Sequence, residues 1–278
     1  MKKILVATDF STNSKVGLRF AIQLASQQNI ELTFIHSFYL IKPSSWSFEK
    51  FMEYEKNESF EIHKKLNEFV TTVYKETGIT PSHFKCIVTK GVFAESCILE
   101  HAIEQQFDFI CIGTRGAGKL TKVFGTTASN LINHSTIPVI VVPKNYRRGV
   151  VKKILYATDF SNLKNELTEV INFAKPLHSK VELVHCYKTT DQLETKTKIF
   201  DIVKRNTTYP IKLHLELMIR SELLISKIDT VIKKSKANLL VMFTEHNKSF
   251  LKKIIFSSQS EEYSFKAKIP LLVYKKRN

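Results

Sequence analysis

The run Phe109–Pro143, FICIGTRGAGKLTKVFGTTASNLINHSTIPVIVVP, decides how this chain folds. It opens on a short apolar run, Phe109–Ile112, closed by Gly113, which reads as a buried strand. Gly113, Gly116 and Gly118 follow, then a basic segment, then Gly125-Thr126-Thr127 at the start of a helical pattern, Thr126–His134. A second apolar strand, Pro138–Val142, ends it. Glycines after a strand let backbone N–H groups approach a ligand, and a helix N-terminus adds partial positive charge. The spacing therefore predicts an anion site, best suited to the phosphates of a nucleotide.

The rest of the chain repeats this unit. Residues 2–11 read KKILVATDFS and residues 152–161 read KKILYATDFS, so nine of ten positions agree at an offset of 150. ELTFIHSFY (31–39) corresponds to VELVHCYK (181–188), and STIPVIVVPK (135–144) to AKIPLLVYKK (267–276). The chain is read as a tandem duplication with domains at 1–146 and 151–278, joined by the short polar linker NYRRGVV (145–151).

Each copy alternates strand and helix. In the first, the pattern predicts strands at 3–8, 32–37, 84–89, 109–112 and 138–142. Helices are expected at Phe48–Thr77, ended by Gly78, at 93–106 and at 126–134. A further helix carries Val16, Phe20, Ile22 and Leu24 on its apolar stripe, with Ser11 or Thr12 as its cap. The second copy predicts strands at 153–158, 180–186, 211–217, 238–243 and 270–274. Such alternation means an α/β fold with a parallel, Rossmann-like sheet covered by helices on both faces, here twice. Ligands bind these sheets beyond the carboxyl ends of the strands, where the strand order reverses. That places the loop Thr8-Asp9-Phe10-Ser11 and the glycine loop on one rim.

Composition narrows the alternatives. Hydrophobic residues make up 43% and charged residues 24%, and no apolar run reaches the roughly 20 residues that cross a bilayer. The N-terminus meets Thr8 and Asp9 too early for an export signal, so a cytoplasmic protein is expected. Cys86, Cys97, Cys111 and Cys186 lack CxxC spacing and read as free thiols, neither disulfide nor zinc ligands. The net charge of +16 lies mostly in residues 149–278, which hold 24 basic and 13 acidic side chains. The lysines are scattered without a nucleic-acid-binding signature, so nucleic acid is not an expected partner. The histidines form no metal motif, and His36 and His185 read as hydrogen-bonded core residues. No nucleophile elbow or Ser/His/Asp order supports hydrolase chemistry.

Gly113–Lys119 fits the first part of a P-loop, but Leu120 stands where Ser or Thr would hold Mg²⁺, and the loop follows the fourth strand rather than the first. A different pattern fits better. TDFS after the first strand, the HSF and HCY ends of the second strands, the glycine loop and the closing IPVIVVP resemble the universal stress protein (UspA) superfamily, over nearly the whole chain as two fused copies. ATP-binding members carry G-x2-G-x9-G-(S/T); here the spacer 117–124 has eight residues. The resemblance implies that Ala7, Thr8 and Asp9 line the adenine and ribose side and that Ser37 flanks the base with Ile112 opposite. It further implies that Gly113 and Gly116 admit the phosphates, held by Gly125, Thr126 and Thr127. ATP, with or without Mg²⁺, is the implied ligand. Arg115 and Lys119 add charge from within the loop. By turn chemistry alone, the alternative for Asp9 is an Asx turn or helix cap.

The second copy keeps Thr158-Asp159, but reads FTEHNKS from Phe243, with no glycine and with Glu245 where phosphates would sit. A nucleotide is therefore expected in the first domain only, while Ser257-Ser258 cap the last helix. The resemblance implies association through the fifth strand, so 138–142 and 270–274 are expected to form an intramolecular pseudo-dimer, with a homodimer as a further step. The expected role is an ATP-binding stress-response module with at most slow ATP hydrolysis. The alternatives are a non-nucleotide scaffold with a closed pocket and an adenylate-forming enzyme.

Overall fold

The computed structural model describes residues 1–81, 83–114, 126–187, 192–218, 224–244 and 268–276. Gly116, Gly118, Gly125, the 117–124 spacer, Glu245 and Ser257-Ser258 lie outside them. The chain divides into two compact units, Met1–Lys144 and Asn145–Asn278.

In the first unit, β1 (Lys2–Ala7), β2 (Ile30–Phe38), β3 (Phe84–Lys90), β4 (Phe109–Gly113) and β5 (Val139–Val142) alternate with α1 (Lys15–Ala25), α2 (Phe48–Thr77), α3 (Ala94–Glu104) and α4 (Thr126–His134). The strand order is β3-β2-β1-β4-β5, and every pairing is parallel. Because parallel crossovers are right-handed, α1 and α2 cover one face and α3 and α4 the other. The contacts agree: α1 packs on α2, and α3 on α4. The core is apolar, with Ile4, Leu5, Leu18, Phe20, Leu32 and Phe34 all below 2% exposed.

The second unit has β6 (Lys153–Ala157), β7 (Lys180–Tyr187), β8 (Ile211–Leu217), β9 (Leu239–Thr244) and β10 (Leu271–Lys275), in the parallel order β10-β9-β6-β7-β8. Its described helices are α5 (Leu163–Ala174), α6 (Gln192–Asn206) and α7 (Leu224–Ser235), with a short 3₁₀ turn at Lys175–Leu177. Among the described residues no helix is long and apolar enough to cross a membrane.

Most elements fall within two residues of the sequence reading, and α2 and α4 coincide with it. Ser47 caps α2 by accepting from Lys50 N at 3.2 Å, and Gly78 ends it at φ 64°, the left-handed conformation a helix C-terminus needs. The start of α1 differs. Regular helix begins at Lys15, preceded by a turn over 12–14 in which Ser11 Oγ accepts from Ser14 N at 3.1 Å. Ser11 thus caps the entry turn, and Ser14 turns its own hydroxyl back onto Ser11 O at 2.8 Å.

The strand order reverses between β1 and β4, and there α1 and its entry loop approach the end of β4 unusually closely. A Cβ on Gly113 would stand 2.9 Å from Asn13 O, and one on Gly17 would stand 3.0 Å from Gly113 N. Two residues without side chains therefore let α1 and the loop before it lie directly on the end of β4. Gly113→Ala is expected to destabilise the protein by about 1–3 kcal/mol through overpacking, seen as a lowered denaturation midpoint in urea with an unchanged slope.

Candidate functional site

The β1–α1 loop is built from short polar side chains that satisfy one another. Thr8 is buried, its N–H bonds Ile35 O at 3.0 Å, and its hydroxyl lies 2.8 Å from Ser14 Oγ. Thr8 Oγ1 also accepts from Phe10 N at 3.2 Å. Asp9 Oδ1 accepts from Ser11 N at 3.0 Å, so the Asx turn is present, while Asp9 itself is exposed on the carboxyl rim. These bonds hold Phe10 at φ 62°, where a bulky residue is strained. Its ring lies 4.2 Å from the His36 ring and 5.6 Å from Phe69 of α2.

His36 Nδ1 reaches Thr8 O at 2.8 Å, and since a carbonyl only accepts, Nδ1 carries the proton. Burial outweighs that bond and holds the His36 pKa below its ordinary value, so the ring is neutral near pH 7. It is a core histidine that fixes the loop, as the sequence indicated. The second unit reproduces this construction: His185 Nδ1 lies 2.9 Å from Thr158 O, Phe160 sits at φ 65° with its ring 3.9 Å from His185, and Asp159 Oδ1 accepts from Ser161 N at 3.0 Å.

The other expected site residues divide into two groups. Ala7 is buried at the end of β1 and Ile112 is half-buried on β4. Gly113 is buried, and the place of its missing Cβ is taken by Asn13 O, so its small size already has a packing reason. Thr126 is exposed and Thr127 half-buried in the first turn of α4. Ser37 stands near the end of β2, and its hydroxyl oxygen is buried without a hydrogen-bond partner. So is that of Thr89, its register neighbour on β3, which sequence reasoning did not single out. Each such hydroxyl costs about 1–3 kcal/mol if left unmet. The alternating pattern of β3 contained Thr89, but nothing in the sequence separated it from an ordinary strand threonine.

In the second unit the same place is filled by the protein's own side chains. Lys276 Nζ bonds both Asp159 oxygens, at 2.9 and 2.7 Å, and Ser161 Oγ at 2.5 Å, with its side chain only 8% exposed. Glu166 Oε1 lies 3.9 Å from the same ammonium, and Glu166 accepts hydrogen bonds from Tyr156 and, at 3.3 Å, Thr158. Burial pushes the Asp159 pKa up, but the bonds from Lys276 and Ser161 prevail and hold it below the ordinary carboxylate value. Burial pushes Glu166 up. Phe243 occupies the position corresponding to Gly113, its ring stacked on Tyr274 at 5.0 Å and edge-on to Tyr156 at 5.7 Å. In the first unit Lys144, the counterpart of Lys276, is exposed. Two residues decide this difference, Glu166 and Lys276. Neither was marked by the sequence, because Lys276 matches Lys144 in the repeat.

The cysteines are free thiols; Cys97 and Cys111 are buried, and burial raises the Cys86 pKa to about 12. Among the described residues, no group of three or more His, Cys, Asp or Glu is placed to hold a metal ion.

Residues 1–143 match the model of the Universal stress protein family. The chain belongs to the universal stress protein family. No curated protein matches it significantly. Among solved structures, a universal stress protein from Archaeoglobus fulgidus is similar over 99% of this chain and 98% of that one, with 18% identity and a TM-score of 0.71. A Pseudomonas aeruginosa protein assigned to the universal stress proteins matches over 99% and 93%, with 13% identity and a TM-score of 0.59. At these identities the likeness is one of fold, and it extends over both units of this universal stress protein.

The two half-buried histidines set a pH response. With folded pKa values below the ordinary 6.5, His36 and His185 add stability that is complete above 6.5 and lost as the pH falls from there through their folded values. The melting temperature should therefore decline on acidification from pH 7 to 5, and His36→Gln/His185→Gln should flatten that decline relative to wild type.

Proposed function

We propose that this universal stress protein is a regulatory, stress-response module that binds ATP in its N-terminal unit alone. The observation that carries the reading is the contrast between two copies of one loop. Both build the same Thr-Asp-Phe-Ser turn at the strand-order reversal, but in the second copy Asp159 is bonded to Lys276 and Phe243 replaces Gly113. In the first, Lys144, at the position of Lys276, is exposed, and two hydroxyl oxygens near the ends of β2 and β3 are buried without partners.

The residues present suit the sugar and base end of an adenine nucleotide. Asp9 would accept from the ribose hydroxyls, Ala7 and Ile112 would give apolar contact to the base, and Ser37 would meet its edge. Thr126 and Thr127, in the first turn of α4, would face the phosphates together with Gly116 and Gly125, where a helix N-terminus favours negative charge. Bound ATP would supply a polyphosphate whose charge can be sensed by whatever docks on this rim. Mg²⁺ would enter with the phosphates. The protein supplies binding and orientation, and no side chain of the described rim stands out as a general base. The second unit, with its lysine–carboxylate cluster already neutralised, does not suit the ligand.

The reading extends to a cytoplasmic protein with residues 138–142 and 270–274 joining as an intramolecular pseudo-dimer, because a wholly apolar closing strand requires cover and the duplication provides a matching one. Domain limits at 1–146 and 151–278 belong to the same proposal.

Calorimetric titration with ATP is expected to give one site per chain, weakened about tenfold or more by Asp9→Ala and abolished by Gly116→Glu, which puts a carboxylate into the phosphate loop. Two sites per chain would overturn the asymmetry. Absence of binding at millimolar ATP would overturn the nucleotide reading and favour the closed scaffold.

A further inference from the structure

The second unit carries a basic depression at the end of its sheet opposite the Asp159 rim. Asn238 directly precedes β9, Lys268 and Ile269 stand just before β10, and residues 145–149 lead toward β6. These three strands are parallel, so the segments meet at their amino ends. They border an open depression of about 620 Å³, lined by Asn145, Tyr146, Arg147, Asn238, Lys268 and Ile269 together with Gly149. Arg147 and Lys268 are exposed, and Tyr146 and Ile269 are half-buried. The Tyr146 hydroxyl donates to Gly149 O and accepts from Gly149 N, both at 3.2 Å, which ties the segment into a closed turn. Asn238 Oδ1 accepts from Lys152 N at 2.9 Å and Lys153 N at 3.0 Å, leaving its amide nitrogen as a donor. Among the described residues neither Arg147 nor Lys268 has a hydrogen-bond or ion-pair partner, and no acidic side chain lines the depression.

The first copy shows that this charge is not required by the fold. By register and repeat, Asp108 corresponds to Asn238 and Thr136 to Lys268. Asp108 performs the same backbone task, accepting from Lys3 N at 2.8 Å, and its charge is met by Lys2 at 2.7 Å. In the second copy the carboxylate has become an amide and the threonine a lysine. Both changes add positive charge, and both residues line the depression.

We infer that this depression is a binding site for a small organic phosphate monoester. The Arg147 guanidinium offers paired donors to two phosphate oxygens, Lys268 adds a compact charge, and the Asn238 amide donates a further hydrogen bond. Tyr146 and Ile269 give apolar cover to the organic body. The volume lies within the roughly 300–1,000 Å³ typical of small-molecule sites. Two cations match one dianionic phosphate, whereas the triphosphate of ATP would bring charge that they leave unmet. The site is thus independent of the nucleotide reading above.

The test is calorimetric titration of the full chain with phenyl phosphate in a low-salt, phosphate-free buffer. One site per chain is expected, tighter than for inorganic phosphate; equal affinity for the two would overturn the assignment of an organic ligand. Arg147→Gln and Lys268→Gln should each weaken binding about tenfold or more. Asn238→Asp restores the carboxylate of the first copy and keeps an acceptor for the Lys152 and Lys153 N–H groups. It should abolish binding while the melting temperature stays near that of wild type. Lys164→Gln removes the same charge from an exposed position at the start of α5, away from the depression, and should leave the affinity nearly unchanged. An equal loss there would mean diffuse attraction to a basic surface and overturn the inference. Gly116→Glu should also leave phenyl phosphate binding intact; loss in that variant would assign the anion to the glycine loop and overturn the inference while favouring the nucleotide reading. Absence of binding at millimolar phenyl phosphate would overturn this inference alone.

Discussion

The contact that organises the first unit is the crossing of α1 and its entry loop over the end of β4. Gly17 lies against the backbone of Ile112 and Gly113, and Gly113 lies against Asn13 O. Two missing side chains set the separation, and with it the placement of everything the loop carries. Thr8, Asp9, Phe10 and Ser14 are then fixed by their own hydrogen bonds and by His36. The chemistry of the rim is thus downstream of a steric condition inside the fold.

Duplication shows what happens when that condition is relaxed. In the second unit Leu167 and Phe243 take the places of Gly17 and Gly113, and an aromatic cluster of Tyr156, Phe243 and Tyr274 fills the region. The acidic residue of the loop survives, but its charge is answered by Lys276, and Glu166 is buried beside both. Lys276 and Glu166 are the buried members of this group, and a charge taken out of water is costly without a partner. The loop keeps its shape while its charge is spent internally.

Much of this was legible in the sequence. The apolar runs and their spacing defined the strands, the repeat defined the duplication, and Ser47 and Gly78 bracket α2 through backbone rules that act locally. The histidines were legible as packed, hydrogen-bonded residues because their position near the end of an apolar strand recurs in both copies. What was not legible depends on contacts between distant segments. Gly17 looks like a weak point in a helix until β4 is seen beneath it. Gly113 read as a phosphate contact, yet its nearest neighbour is Asn13 O. Lys276 acquires meaning only when the end of β10 is seen beside Asp159, 117 residues earlier.

Both loops hold a phenylalanine in the left-handed region, Phe10 at φ 62° and Phe160 at φ 65°, each against a histidine ring. That conformation disfavours a bulky L-residue by about 1–2 kcal/mol. It persists in the copy whose acidic group is already neutralised, so it belongs to the scaffold and owes nothing to a ligand. One polypeptide thereby carries two versions of one loop, of equal geometry and unequal occupancy by its own side chains. The second serves as a built-in blank against which changes in the first can be read within the same molecule.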